Sequence, residues 1–262
     1  MPPWPALFVS HGAPSLAIED DAFTQALADW GSRTPAPRAI VVVSAHWEAP
    51  GPVRVNVGPH PPLVYDFSGF PRALYELTYP APGDPALADE VRAALSAGGF
   101  EPAAEAHRGW DHGVWVPLRR LFPDARIPVV AVSLPVPRTP ERVLALGRAL
   151  APLREREVLR LGSGGIVHNL RRLEPDKQAP AVDWARSFDR WVADRLEGLD
   201  VEAIAEYERR APQPELAVPG SEHFDPIFFV LGSRATGDRV ATVFEGFHYG
   251  TLSLRTFALA AP

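Results

Sequence analysis

Four of the eight histidines in this 262-residue chain stand where apolar runs break into turns. His11 lies in Ser10-His11-Gly12-Ala13-Pro14. A histidine followed by Gly and then Pro neither prolongs a strand nor enters a helix smoothly, so the backbone must turn there and present the imidazole. His46 lies in Ser44-Ala45-His46-Trp47-Glu48, at the end of the β-branched run 39–45. His168 lies in Gly162-Ser163-Gly164-Gly165-Ile166-Val167-His168-Asn169-Leu170, whose glycines let backbone pass close to a ligand. His223 lies in Glu222-His223-Phe224-Asp225-Pro226, where Asp225 reads as an N-cap and Pro226 as the first helical residue. Taken singly, each is more ordinarily a loop histidine bonding a carbonyl. Their recurrence at strand ends points instead to a metal site. Two histidines and a carboxylate form the facial triad of non-haem Fe(II), whereas three histidines suit zinc, so Glu222 and His223 both stand as third ligand.

A second group surrounds these. Arg108-Gly109-Trp110-Asp111-His112-Gly113-Val114-Trp115 brackets Asp-His with tryptophans. It reads as a pocket for a flat ring, with His112 as polar contact or proton donor; the plainer reading is an Asp N-cap beside a hydrophobic staple. Trp47 is a further candidate wall. Tyr65-Asp66-Phe67-Ser68-Gly69-Phe70-Pro71 is an aromatic loop suited to a lid. His60 and His107 read as surface residues, and His248-Tyr249 is undecided. Gly162-Ser163-Gly164 is not the Gly-x-Ser-x-Gly elbow, which argues against a serine hydrolase. The same turn lacks the Gly-x-Gly-x-x-Gly order and a Walker lysine, which argues against a nucleotide. A zinc hydrolase on these histidines, or a metal-holding binding scaffold without turnover, are the other classes the residues admit.

The elements that must position these side chains follow from periodicity. Runs 6–10, 39–45, 127–134 and 158–161 read as buried strands, the last breaking at Gly162. Helical patterns cover 21–30, 85–97, 140–153 and 182–196, and segments 240–244 and 251–258 read as an antiparallel closing pair. Strands alternating with helices predict an α/β fold: one domain over 1–262, a mostly parallel central sheet flanked by helices, and a metal site at the carboxyl ends of the strands. Adjacent parallel strands would bring His11 and His46 to one rim.

Composition narrows the classes further. The chain is 22% charged and 46% hydrophobic, an ordinary globular profile. Without cysteine there are no disulfides, no thiol catalysis and no iron–sulfur cluster. A net charge of −6 without a basic stripe argues against nucleic acid. No apolar stretch approaches a bilayer span, and Met1-Pro2-Pro3-Trp4-Pro5 has no basic n-region or apolar h-region. The expectation is a cytoplasmic protein with no membrane partner.

Six motifs in order carry a resemblance: Ser-His-Gly-Ala-Pro at 10–14, Ser-Ala-His-Trp at 44–47, Tyr-Asp-Phe-Ser-Gly-Phe-Pro at 65–71, Trp-Asp-His-Gly at 110–113, Gly-Ser-Gly-Gly-Ile-Val-His-Asn-Leu at 162–170 and Glu-His-Phe-Asp-Pro at 222–226. Over nearly its whole length the chain resembles the class III extradiol ring-cleavage dioxygenases, and within them the DOPA 4,5-dioxygenase (DODA) type of the LigB superfamily. The resemblance implies a mononuclear metal, Fe(II) for activity or Zn(II) as isolated, and the insertion of O2 beside the diol of a catechol. It places metal ligands at His11, His46 and His223. His168 falls on a position that is a second-sphere acid/base in the wider superfamily and a ligand in some DODA-type proteins, and His112 on a pocket histidine beside substrate. Which catechol is taken and the oligomeric state are not legible, although Arg108 is a candidate partner for a substrate carboxylate.

Overall fold

The structure is a computed structural model that describes residues 4–261. Met1–Pro3, on which the leader reading partly rests, lie outside the described residues. Among the described residues ten strands run β1 (Ala6–Ser10), β2 (Ala39–Pro50), β3 (Val53–Asn56), β4 (Pro102–Glu105), β5 (Val129–Val136), β6 (Val158–Gly164), β7 (Arg239–Phe244), β8 (Phe247–His248), β9 (Leu252–Ser253) and β10 (Thr256–Ala260). The helices are α1 (Ala22–Arg33), α2 (Pro85–Ala97), α3 (His112–Leu121), α4 (Pro140–Leu150), α5 (Asp183–Glu197), the short α6 (Val201–Ala205), α7 (Tyr207–Arg210) and α8 (Pro214–Ala217), and α9 (Pro226–Gly232). Among the described residues no helix is long and apolar enough to cross a membrane.

Eight strands form one sheet in the order β4-β3-β5-β2-β6-β1-β10-β7. The central four, β5-β2-β6-β1, are parallel, while β10 pairs antiparallel with both β1 and β7. Both faces are covered, which explains the uninterrupted apolar run of β2. Val41 and Val43 face a core shared with Val91 of α2, Val143 of α4, Phe188 of α5 and Phe228 of α9. Ile40 and Val42 face the opposite core, with Phe23 of α1 and Trp115 of α3.

Three sequence expectations are corrected here. First, β1 and β2 are not neighbours. β6 lies between them, parallel to both, so their carboxyl ends still share one rim. Second, β2 does not end at His46 but continues to Pro50. Its pairing with β5 slips between Val43, opposite Val132, and Glu48, opposite Leu134. His46 sits in that irregular stretch, where broken pairing re-aims side chains. Third, β6 does not break at Gly162; it stays paired with β1 through Gly164. Strands β3 and β4 escaped the sequence reading. They are four residues each, Val53-Arg54-Val55-Asn56 and Pro102-Ala103-Ala104-Glu105, and neither is a continuous run of large apolar residues, so no strand signal announces them.

Candidate metal centre

The rim formed by β1, β6 and β2 is where the histidines meet. The His11 amide donates to the Gly164 carbonyl at 3.0 Å, tying the residue after β1 to the end of β6. The chain then turns through Gly12 at φ +61°, where a Cβ would lie 2.5 Å from Leu16 Cδ1, so only glycine fits without displacement. Gly164 allows the other close approach. A Cβ there would stand 2.0 Å from the His223 carbonyl oxygen, which also accepts from the Gly165 amide at 2.7 Å. The segment carrying His223 is thereby laid against the end of β6.

The imidazoles of His11, His46 and His223 each offer a nitrogen, and these donors lie within 4.8 Å of one another. His11 Nε2 and His46 Nε2 are 3.0 Å apart. Ser163 Oγ donates to the Gly113 carbonyl, so it must accept from His11 Nδ1–H at 3.0 Å. That leaves His11 Nε2 as a lone pair aimed at its partners. His223 Nδ1 lies 3.3 Å from Glu222 Oε1, and His46 Nδ1 lies 3.6 Å from Asp66 Oδ2, so each ring turns Nδ1 to a carboxylate and Nε2 inward. Inward lone pairs at this separation repel unless a cation lies among them. At metal–nitrogen bonds of about 2.1 Å, two ligands of one ion are spaced by roughly this distance. The donor set therefore fits a single transition-metal ion.

Electrostatics agree. Burial, then the neighbouring His46, His223, His112 and His168, hold His11 well below the usual histidine range. Burial, with His112 and His223, depresses His46 to about 2. Both rings are neutral, the form that ligates. Burial, then the neighbouring His223, lowers His168 to about 3. The hydrogen bond from His223 is the largest of the effects that hold Glu222 at about 2.

The other sequence candidates fall in different places. His168 lies outside the three-donor group, its ring stacked on His223 with centroids 3.5 Å apart and 6° between planes. Glu222 is also outside the group; its carboxylate backs His223. His112 stands 4.0 Å from His46, ring to ring; its amide donates to Asp66 Oδ1 at 2.9 Å, and its Nδ1 lies 3.0 Å from the same oxygen. His46, Asp66 and His112 make a second compact donor set, sharing His46 with the first. Asp66 was not singled out from the sequence; a carboxylate inside an aromatic loop has no spacing signature. His60 and His107 are exposed, as expected. His248 is buried and meets Asp21 Oδ2 at 3.3 Å.

Above the histidines opens a cavity of about 540 Å³. It is lined by His46, His112, His168 and His223, by Asp66, Phe67 and Phe70 of the aromatic loop, and by Pro14, Leu170, Leu173, Tyr249 and Leu252 among others. The aromatic loop is thus a wall of the cavity, with Phe67 edge-on to His112 at 5.8 Å. The tryptophans are not. Trp110 and Trp115 are fully buried in the core on the α1/α3 face, and Trp47 is packed there too. Arg108 is likewise withdrawn. It lies over Trp47, donates to the His46 carbonyl at 2.9 Å and pairs with Asp111 at 3.0 Å. Asp111 also accepts from Ser44 Oγ at 2.7 Å, so this arginine braces the His46 backbone rather than facing a substrate. Asp225 does not cap α9. Its backbone is already helical, and its carboxylate accepts from Arg138 and Ser221, each at 2.9 Å. A larger pit of about 800 Å³, lined by residues such as Trp4, Arg154 and Arg234, lies at the amino ends of β1 and β6, away from the histidines.

The protein is thus an α/β sheet with a cluster of histidine donors at the carboxyl ends of its parallel strands, where open α/β sheets bind their ligands. The family model for the catalytic LigB subunit of aromatic ring-opening dioxygenase matches residues 5–254. The chain is 37% identical to a 4,5-DOPA dioxygenase extradiol of Beta vulgaris, covering 95% of this chain and 94% of that one. It is also 37% identical to a 4,5-DOPA dioxygenase extradiol of Escherichia coli K12, covering 95% and 92%. A crystal structure of an uncharacterized protein from Escherichia coli K12 superposes with a TM-score of 0.81 at 31% identity, over 97% of this chain and 99% of that one. The chain belongs to the LigB family of aromatic ring-opening dioxygenases, as an extradiol enzyme of the DODA type.

Proposed function

We propose that the protein opens the ring of a DOPA-like catechol with O2, beside the diol, using one Fe(II) held by His11, His46 and His223. The carrying observation is the set of three inward imidazole donors at the floor of an aromatic-walled cavity. Bound there, Fe(II) supplies the electron transfer that lets triplet O2 react with a singlet catechol, which zinc lacks. The protein does the rest. Phe67, Phe70 and Pro14 confine a flat ring above the donors. His168, neutral and facing the cavity, accepts a proton from a catechol hydroxyl and returns it later as an acid. Its stacking on His223 holds it beside the metal position without occupying it. His112 meets the second ring hydroxyl, with Asp66 against its Nδ1. A cysteine-free chain and an oxidisable metal both suit a reducing compartment, and we place the enzyme in the cytoplasm.

The test is oxygen uptake. Metal-stripped protein, reloaded anaerobically with Fe(II) or Zn(II), is given DOPA and simple catechols and then air. Fe(II)-dependent uptake with a yellow ring-opened product is expected. No uptake with any catechol, in protein shown to hold one Fe(II), would overturn the proposal. Zinc-dependent turnover without O2 would instead favour a hydrolase.

A further inference from the structure

We propose that Tyr249 binds the substrate's ring substituent, its hydroxyl donating a hydrogen bond to a carboxylate such as that of DOPA. This rests on the catechol-opening reading and names a residue that sets its substrate class.

Backbone strain marks the residue. Tyr249 (φ +52°) and Gly250 (φ +67°) are the central residues of the turn between β8 and β9, closed by the Thr251 amide donating to the His248 carbonyl at 3.3 Å. A turn with positive φ at both central residues favours Asn-Gly. A tyrosine in the first of those places carries a backbone cost that glycine would avoid. The surrounding chain enforces it. The Tyr249 amide donates to the Lys177 carbonyl, and the Tyr249 carbonyl accepts from the Glu174 amide, both at 2.9 Å. The Gly250 carbonyl accepts from the Val182 amide at 2.9 Å. An aromatic side chain fixed in this way, and lining the cavity, is placed for contact with what the cavity holds.

Chemistry points the same way. Apart from Asp66 and the four histidines, Tyr249 is the one polar side chain in the described lining. Asp66 is taken by His112. The Tyr249 hydroxyl has no hydrogen-bond partner among the described residues. A diol lying on the histidine floor directs a substituent para to one hydroxyl away from the donors, toward the mouth. Tyr249 is at that end. Its bond from Glu174 sets it beside Leu173, and Leu170 and Leu173 line the mouth while 60% and 39% exposed. Between the leucines stand Arg171 and Arg172, exposed and in no ion pair among the described residues. They give the mouth a positive potential that attracts a carboxylate. Tyr249 then supplies a hydrogen bond in place of the water that the anion sheds.

The experiment compares Tyr249→Phe with the parent on 3-(3,4-dihydroxyphenyl)propanoate, DOPA, dopamine and 4-ethylcatechol. Phenylalanine keeps the ring and removes only the hydroxyl. Dissociation constants are measured by calorimetry on Zn(II)-loaded protein, and kcat and KM by oxygen uptake on Fe(II)-loaded protein. The variant is expected to bind the propanoate and DOPA about tenfold more weakly, with dopamine and 4-ethylcatechol within about twofold of the parent. The loss is expected in KM rather than in kcat. Propanoate and DOPA affinities within about twofold of the parent's, or an equal loss for dopamine or 4-ethylcatechol, overturn the assignment of Tyr249 alone. The expected binding pattern with no turnover of any catechol by the Fe(II)-loaded parent overturns the ring-opening reading alone. No binding of any of these ligands to the parent overturns both.

Discussion

Ser163→Ala isolates what a single hydroxyl does for the metal centre. Ser163 is fully buried at the end of β6, and its Oγ both accepts from His11 Nδ1–H at 3.0 Å and donates to the Gly113 carbonyl. Alanine removes both bonds and adds no bulk. His11 is only 2% exposed, so its Nδ1–H is left buried and unpaired, as is the Gly113 carbonyl. Each orphaned group costs about 1–3 kcal/mol. For a chain of this size that lowers the melting temperature of the metal-free protein by roughly 5–10 °C. The imidazole also loses what selects its tautomer and fixes its plane. Outer-shell losses of this kind weaken metal binding by roughly 10–100-fold. The assay pairs a zinc titration against a competing chelator with a melt of the metal-free protein. Zinc is used because it reports the site without redox chemistry. If zinc affinity stays within about twofold of the parent while the melt drops, Ser163 supports the fold but does not aim His11, and the reasoning about the inward lone pair fails.

Three further outcomes are expected. His168→Ala should lower kcat by roughly 10²–10⁴-fold, the range for a lost acid/base, while metal content measured by elemental analysis stays near the parent's; full turnover would remove His168 from the proton path. His11→Ala and His46→Ala should each lose the stoichiometric metal on dialysis, since two imidazoles cannot hold it against buffer. Asp21→Asn should destabilise the protein by about 1 kcal/mol at neutral pH, read by denaturant melts. Asp21 caps α1, bonding the Thr24 amide at 2.9 Å, and pairs with Lys177. Despite its burial, the bond from Lys177 and then that from the Thr24 amide hold its carboxyl below the ordinary value of 3.8. A lowered folded value means stability that is present above 3.8 and lost as the pH falls through the folded value. The parent–variant gap should therefore close under acid, and a gap that persists there would refute the charge argument.

Much of this was legible because two signals are strong. β1 and α2 fall on the residues that periodicity assigns them, since an apolar run flanked by turns and an amphipathic stretch capped by Asp84-Pro85 each admit one reading. The clustering of His11, His46 and His223 was legible because strand ends in a parallel sheet converge. Where each side chain faces was less so. Trp110 and Trp115 flank His112, yet both are core, because residues close in sequence point in different directions and aromatic content does not say which. Arg108 looked free for a carboxylate, but it pairs with Asp111, three residues on. Asp225 looked like a cap because Asp-Pro opens helices. The turn Ser221–His223 runs straight into α9, however, and Arg138, distant in sequence, claims the carboxylate. Asp66 and Ser163 act through partners that only the fold supplies.

The proposed ligand histidines come from separate strands and loops, and His223 is held in place by the end of β6. No two of them sit on one helical turn or one tight loop, so the nascent chain contains no local chelate. An ion has nothing to grip until β1, β2 and β6 are assembled and the 222–226 segment has docked. With these ligands, metal capture would be a late event that follows folding rather than nucleating it. The ion then adds stability by mass action, in proportion to its free concentration. The choice among competing ions would then be made by a finished cavity, under whatever metal supply surrounds the folded protein.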